Sequence, residues 1–242
     1  MIRKIFVILL FSVIMLNATI DQTYVQHITR DGSSTITKTD DISLFSSMLG
    51  GSEALINIDN ACKTDEDLAC KFDIQEKIIE LTSDFEPGSQ YKFEVNYGIP
   101  FIEYKLTIKK IPTERFSSQL DNILMKANVI ESPGKSVKDI ELEAGDAEII
   151  DYMRLLGMTM SYQITMPGEI YSTSSGVVVS DTDKNSATFD ILDRIERAEY
   201  VTIKSRELNL GYLTIIAMAI VLFGLAWSFI NAKNKGNKKR RK

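Results

Sequence analysis

The sequence predicts an α+β domain tethered to a membrane, and three observations predict it. Paired segments with strict two-residue hydrophobic alternation, separated by Gly and Pro turns, call for hairpins with one buried and one wet face. Segments with helical spacing fall between those hairpins without a repeating βαβ order, which separates α+β from α/β. Charge also vanishes from two apolar runs, one near each end of the 242 residues. The expected architecture is an antiparallel sheet built from hairpins with helices packed on one face. An N-terminal signal peptide precedes it and one C-terminal transmembrane helix follows.

Arg3 and Lys4 precede an uncharged apolar run, Ile5 to Leu16, with the small residue Ala18 after it. That is the anatomy of a secretory signal peptide over residues 1–18, and the run is too short for the ~20 residues of a bilayer span. An uncleaved signal anchor is the rival reading, and it leaves the following residues on the same side. Tyr24 to Thr29 and Ser34 to Thr39 read as strands around Arg30-Asp31-Gly32-Ser33, because Asp-Gly supplies the positive φ of a tight hairpin. Asp41 to Leu49 reads as a short helix closed by Gly50-Gly51, followed by a polar loop carrying both cysteines and a second helix over about Phe72 to Leu81.

The clearest pattern comes next. Tyr91, Phe93, Val95 and Tyr97 alternate with polar residues. After the Gly98-Ile99-Pro100 turn, Ile102, Tyr104, Leu106 and Ile108 do the same. Thr113 reads as the cap of a helix whose apolar stripe is Phe116, Leu120, Ile123, Leu124 and Ala127. Asp146 reads as the cap of another, with Ile149, Ile150, Met153 and Leu156 on one side and Gly157 ending it. Strands are expected over Met158 to Met166, Gly176 to Ser180, Ala187 to Leu192 and Tyr200 to Ser205.

Leu208 to Ala232 carries no charge, and Leu210 to Ile230 is densely apolar. A helix of that length spans a ~30 Å hydrocarbon core. Tyr212 and Trp227 stand near its ends, where aromatic rings favour the interface, and seven Lys or Arg follow in residues 233–242. The positive-inside rule places that tail in the cytoplasm and residues 19–207 outside, a single-pass type I arrangement in the cell membrane. The exported domain therefore meets membrane lipid.

Charge excludes one class of function. The nine cations at the two ends leave 19 Lys and Arg against all 33 Asp and Glu in the middle. Nucleic-acid binding needs a basic footprint, so no nucleic-acid partner is expected. Cys62 and Cys70, on the oxidising side of the membrane, read as a disulfide. Asp181, Asp183 and Asn185 have the one-three-five spacing of a calcium loop. Ser186 stands where that loop needs glycine, and Leu192 where it needs a bidentate Glu, so a polar hairpin tip is the preferred reading. The single histidine, His27, argues against Ser-His-Asp and Cys-His hydrolases. No Gly-rich phosphate loop, GxSxG or HExxH occurs. No enzymatic activity, metal or cofactor is expected.

Met166-Pro167-Gly168-Glu169-Ile170, followed by Asn185-Ser186-Ala187-Thr188-Phe189-Asp190, resembles the LppM-type domain of bacterial and archaeal envelope proteins. The Asp31-Gly32-Ser33 hairpin is similar to the opening of that family. This chain has Phe189 where the family pattern has Trp, and it lacks the lipoprotein cysteine. The resemblance implies a membrane-tethered extracytoplasmic α+β domain with lipid or glycolipid binding, and it brings no catalytic residues. The apolar face of Met158, Met160, Tyr162, Ile164 and Met166 is the candidate ligand-lining surface, because thioethers adapt to irregular apolar partners. The expected function is binding of an envelope component. The alternative is an accessory or structural subunit whose partner is another membrane protein.

Overall fold

The computed structural model describes residues 21–43, 51–64, 69–134, 138–142, 147–155 and 157–239. The expected signal segment, most of the Asp41–Leu49 helix, the Asp146 cap and the last three residues of the tail lie outside the described residues. Strands β1 (Asp21–Ile28) and β2 (Ser34–Asp41) form the first hairpin. Helix α1 (Ser52–Thr64) leads to β3 (Cys70–Asp73) and β4 (Ile78–Phe85). The hairpin β5 (Tyr91–Tyr97) and β6 (Phe101–Ile108) precedes β7 (Lys110–Ile111), α2 (Thr113–Lys126), β8 (Ile140–Glu141) and α3 (Ala147–Leu155). The chain continues as β9 (Thr159–Thr165), β10 (Glu169–Thr173), β11 (Val178–Val179) and β12 (Ser186–Asp190). It closes with α4 (Ile191–Arg197), β13 (Val201–Leu208) and α5 (Leu210–Lys239). The chain is α+β with antiparallel-rich sheets.

The strands form a seven-stranded sheet in the order β11-β12-β9-β1-β2-β4-β3, a four-stranded sheet β10-β13-β6-β5, and the small pair β7-β8. Two points correct the expectation of one antiparallel sheet. The hairpins divide between two main sheets, and β1 pairs β9 in parallel, with Asp21 beside Thr159 and His27 beside Thr165. That ladder joins segments more than a hundred residues apart, so no turn signal announces it. One core joins both sheets. The four-stranded sheet contributes Tyr91, Tyr104, Leu106, Ile108, Val201 and Ile203 to the same cluster as Tyr24, Ile36, Ile79, Leu81, Tyr162 and Ile164. Helix α2 lays Phe116 against Tyr24 and Phe85, with ring centroids 6.0 Å apart in both pairs. The five residues read as its apolar stripe are all buried.

Polar groups run through this core in a satisfied chain. Tyr162 donates to Gln26 (3.1 Å), Gln26 to Ser34 (3.0 Å) and Ser34 to the Tyr91 hydroxyl (3.1 Å), which donates to the carbonyls of Gly32 and Phe85. Burial pushes the Tyr162 and Tyr91 hydroxyls up, so they remain donors at ordinary pH. A chain of this kind is what lets Gln26 sit buried on β1 without an unpaired amide.

Four local readings are corrected. Residues 72–81 are not a helix. They form the end of β3, a turn, and the start of β4, where Ile79, Leu81, Ser83 and Phe85 are buried at strand spacing. The Asp73 carboxylate accepts from the Gln75 and Glu76 amides, and Lys77 takes φ +58, which closes the turn. The cysteine-bearing loop is partly helix: Leu55, Ile58 and Cys62 form the buried stripe of α1. Thr113 does not cap α2, since its hydroxyl donates to the Lys138 carbonyl (2.7 Å). The strand expected up to Leu192 stops at Asp190, whose side chain accepts from the Asp193 amide and starts α4.

Cys62 and Cys70 are disulfide-bonded, with Cα atoms 5.2 Å apart. The bond fastens the last turn of α1 to the first residue of β3, an edge strand. Closing so short a loop removes about 2–3 kcal/mol of chain entropy from the unfolded state. The Cys62→Ser, Cys70→Ser double variant is expected to lose that much in denaturant titration of the full chain. A loss under about 0.5 kcal/mol would show that α1 and β3 hold without the bond.

Candidate functional site

The methionine-bearing strand lies inside the core. Met158, Met160, Tyr162, Ile164 and Met166 are all buried, and the Tyr162 ring stacks on Tyr24 (5.8 Å) and Phe189 (5.2 Å). The side chains read as a ligand-lining face are thus packing partners of the aromatic core. Met160 also borders an open surface groove, of about 350 Å³, which Val178 and Phe189 share. A larger depression of about 530 Å³ lies between α1 and β3, beside the Asp73–Lys77 turn.

A different cleft follows from the turn that ends β9. Pro167 and Gly168 reverse the chain, and Gly168 takes φ +80, a conformation open to glycine. The chain then leaves the seven-stranded sheet, and β10 pairs β13 instead, with Glu169 beside Arg206. Ser205 fixes the crossing by donating to the Pro167 carbonyl (2.7 Å). A bulge between Ile170 and Ser172 buries Ile170 and turns Tyr171 outward. The segment before β12 folds back against this strand: the Ile170 amide donates to the Lys184 carbonyl (2.9 Å), and the Met166 amide to the Asn185 carbonyl (2.9 Å).

Between β10 and that segment opens a cleft of about 370 Å³. Its walls carry an aromatic ring (Tyr171), hydroxyls (Ser172, Thr173, Ser180) and charges of both signs (Glu169, Asp181, Lys184). Lys184 and Glu169 are 3.3 Å apart at the rim. The Arg206 guanidinium lies 5.4 Å from the Tyr171 ring and 4.9 Å from Phe101, so it supports the Tyr171 ring from one side. An aromatic platform beside hydroxyls and carboxylates can stack a sugar ring and accept or donate several hydrogen bonds. Arg206 stands four residues before Leu210, roughly 13 Å of extended strand from the start of α5.

Asp181, Asp183 and Asn185 stand in the segment that forms one wall. Asp183 is engaged within its own turn: its carboxylate accepts from the Asn185 amide (3.1 Å) and the Ser186 hydroxyl (2.7 Å). The Ser186 donor, then the Asn185 amide, holds the Asp183 carboxyl below the usual range. Among the described residues, no three His, Cys, Asp or Glu side chains are grouped to hold a metal ion. The cleft is composed of β10, which the sequence gives only as a polar stretch, and of a hairpin tip. What brings them together is the Ile170–Lys184 bond, which no local pattern announces.

Helix α5 contains Leu210–Ser228, a stretch of 19 residues with mean hydropathy 2.2 and none of it buried, long and apolar enough to cross a membrane. Comparison with protein-family models, with curated proteins and with solved structures finds no match for this chain.

Proposed function

We propose that this chain is a membrane-anchored binding module, exported and held at the outer face of the cell membrane by α5. Its ligand is the head group of an envelope lipid or glycolipid, taken up in the cleft between β10 and residues 179–184. One observation carries the reading: the cleft combines an outward aromatic ring with hydroxyls and carboxylates, and Arg206, which supports that ring, stands roughly 13 Å of strand from the apolar helix. A glycolipid whose tails stay in the bilayer can present its sugar at that height. The cleft is polar and open, which suits a head group rather than an acyl chain. The segment resembling the LppM-type domain, Met166–Asp190, also forms most of the cleft walls. Binding without turnover is the proposed activity.

Native mass spectrometry of the full chain released from its membranes in mild detergent tests this. The expected result is a co-purifying amphiphile that falls at least tenfold in the Tyr171→Ala, Asp181→Asn variant. A chain that carries no amphiphile, or a variant that keeps it, overturns the reading.

The alternative, an accessory subunit of a membrane protein complex, draws on the outer face of the seven-stranded sheet. Thr35, Thr37, Thr39 and Thr82 lie there half-exposed, and Val178 is exposed on the edge strand β11. Crosslinking in native membranes separates the two, since a stoichiometric protein partner lost on Val178→Asp favours the second.

A further inference from the structure

The hairpin β5–β6 breaks its own pattern. Its alternating apolar face is buried at one end, where Tyr91 is 2% exposed, and bare at the other, where Tyr97 is 75% exposed. Beyond Tyr97 the turn carries Ile99, 66% exposed, and Pro100, with no charge from Tyr97 to Phe101. Bare aromatic and aliphatic side chains grouped at a loop tip mark a surface that meets something outside the domain.

What stands beside this tip is the start of α5. The Asn209 amide donates to the Pro100 carbonyl (2.8 Å), and the Asn209 side chain lies 3.4 Å from the Gly98 carbonyl as donor. The same residue caps the helix, accepting from the Tyr212 amide (3.1 Å). Asn209 is the only residue between β13 and α5, so no flexible linker separates sheet from helix. Glu207 braces the junction from the other side, accepting from Tyr104 (2.6 Å) and from Arg30 (2.8 Å). Exposed Leu208 and Leu210 continue the apolar surface from the tip onto the helix.

We infer that the Tyr97–Pro100 tip is a second membrane contact, seated in the interfacial layer of the bilayer that α5 enters. This rests on the reading of α5 as a membrane span. The height of the tip is set by geometry: a turn hydrogen-bonded to the residue that precedes Leu210 lies at the depth where the apolar stretch begins. Tyr97 and Tyr212 then share the level at which aromatic rings are favoured. With two contacts side by side, the domain is fixed in tilt rather than swinging about one stem, and the cleft at Tyr171 keeps a constant height above the lipid.

Single-tryptophan proteins test the contact. The chain has one tryptophan, Trp227, so the unaltered full-length protein reports the span, and Tyr97→Trp or Ile99→Trp in a Trp227→Phe background reports the tip. Ile74→Trp in the same background is the control, because the Asp73–Lys77 turn lies at the opposite end of β4 from Phe85 and hence from the Gly32 turn beside Phe93. Each is reconstituted into phosphatidylcholine–phosphatidylglycerol vesicles whose acyl chains are brominated at carbons 6 and 7. Both tip reporters are expected to lose at least half their emission relative to unbrominated vesicles, with a blue shift, while the Ile74→Trp reporter is unchanged. Quenching of Trp227 with neither tip reporter quenched overturns the contact and leaves the span standing. No quenching of Trp227 removes the span, and the contact falls with it.

Discussion

Gly168→Ala is expected to destabilise the domain by about 3 kcal/mol or more, a large effect for one added methyl group. Two costs add. The residue holds φ +80, which costs an L side chain roughly 1–2 kcal/mol. A Cβ there would also stand 2.4 Å from the Arg206 carbonyl oxygen and 2.6 Å from its carbon. Backbone atoms cannot rotate aside as a side chain can, so β10 or β13 must shift. The shift would break the Glu169–Arg206 register and the Ser205–Pro167 bond that carry the chain from one sheet to the other. Gly157→Ala separates the two costs, because Gly157 has φ +72 and nothing within 4 Å of the added atom. That variant should lose only about 1–2 kcal/mol. Denaturant titration of the full chain in mild detergent, followed by circular dichroism, reads both. Equal losses in the two variants would show that the β10–β13 crossing has room to give.

The same turn illustrates what a sequence does and does not disclose. Pro167-Gly168 is legible as a reversal, because the residue types dictate the backbone. Which sheet receives the next strand is not legible, since Glu169–Thr173 alternates too weakly to show a face and its partner lies more than thirty residues ahead. The hairpin β5–β6 and the helix α2 are legible for the opposite reason: strict alternation marks both strands, although their apolar face is buried at the Tyr91 end and bare at Tyr97, and α2 buries its whole stripe, so that there period and burial agree. Residues 72–81 mislead because Phe72, Ile78, Ile79 and Leu81 fit either period, and the turn depends on Lys77 in a left-handed conformation that a lysine does not advertise. Helix α1 could have been found. Leu55, Ile58 and Cys62 keep helical spacing, with Glu53 in the first turn and Lys63 in the last. The α4 start was equally readable from Asp190 followed by Asp193. The parallel β1–β9 ladder was not, because Tyr24 and Tyr162 meet only through tertiary packing. The cleft shares that fate, as its two walls acquire their chemistry only by being brought together.

Strand β2 poses the sharpest energetic question in the core, and a second large effect is expected there. Its inward face is Ser34, Ile36, Lys38 and Asp40, against Thr35, Thr37 and Thr39 outward, so only Ile36 is apolar on the buried side. The Lys38 ammonium lies 2.7 Å from the Asp40 carboxylate, and neither side chain is more than 9% exposed. The ammonium is also 6.0 Å from the Tyr24 ring centroid. Two charges taken out of water in this way cost several kcal/mol each in desolvation, which their attraction offsets only while both are present. Asp40→Leu therefore leaves a buried ammonium facing an aromatic ring and should cost about 3–5 kcal/mol. Lys38→Met alone takes the ammonium away from the buried carboxylate and should also be destabilising. The double variant removes the charges together and should cost less than either single variant. The coupling between the two sites then exceeds either single loss, a cycle that unfolding of the four proteins under one set of conditions completes. A small loss in Asp40→Leu with no coupling would mean that water reaches the pair, and that β2 keeps its face by its pairing with β1 and β4 rather than by the charges it buries.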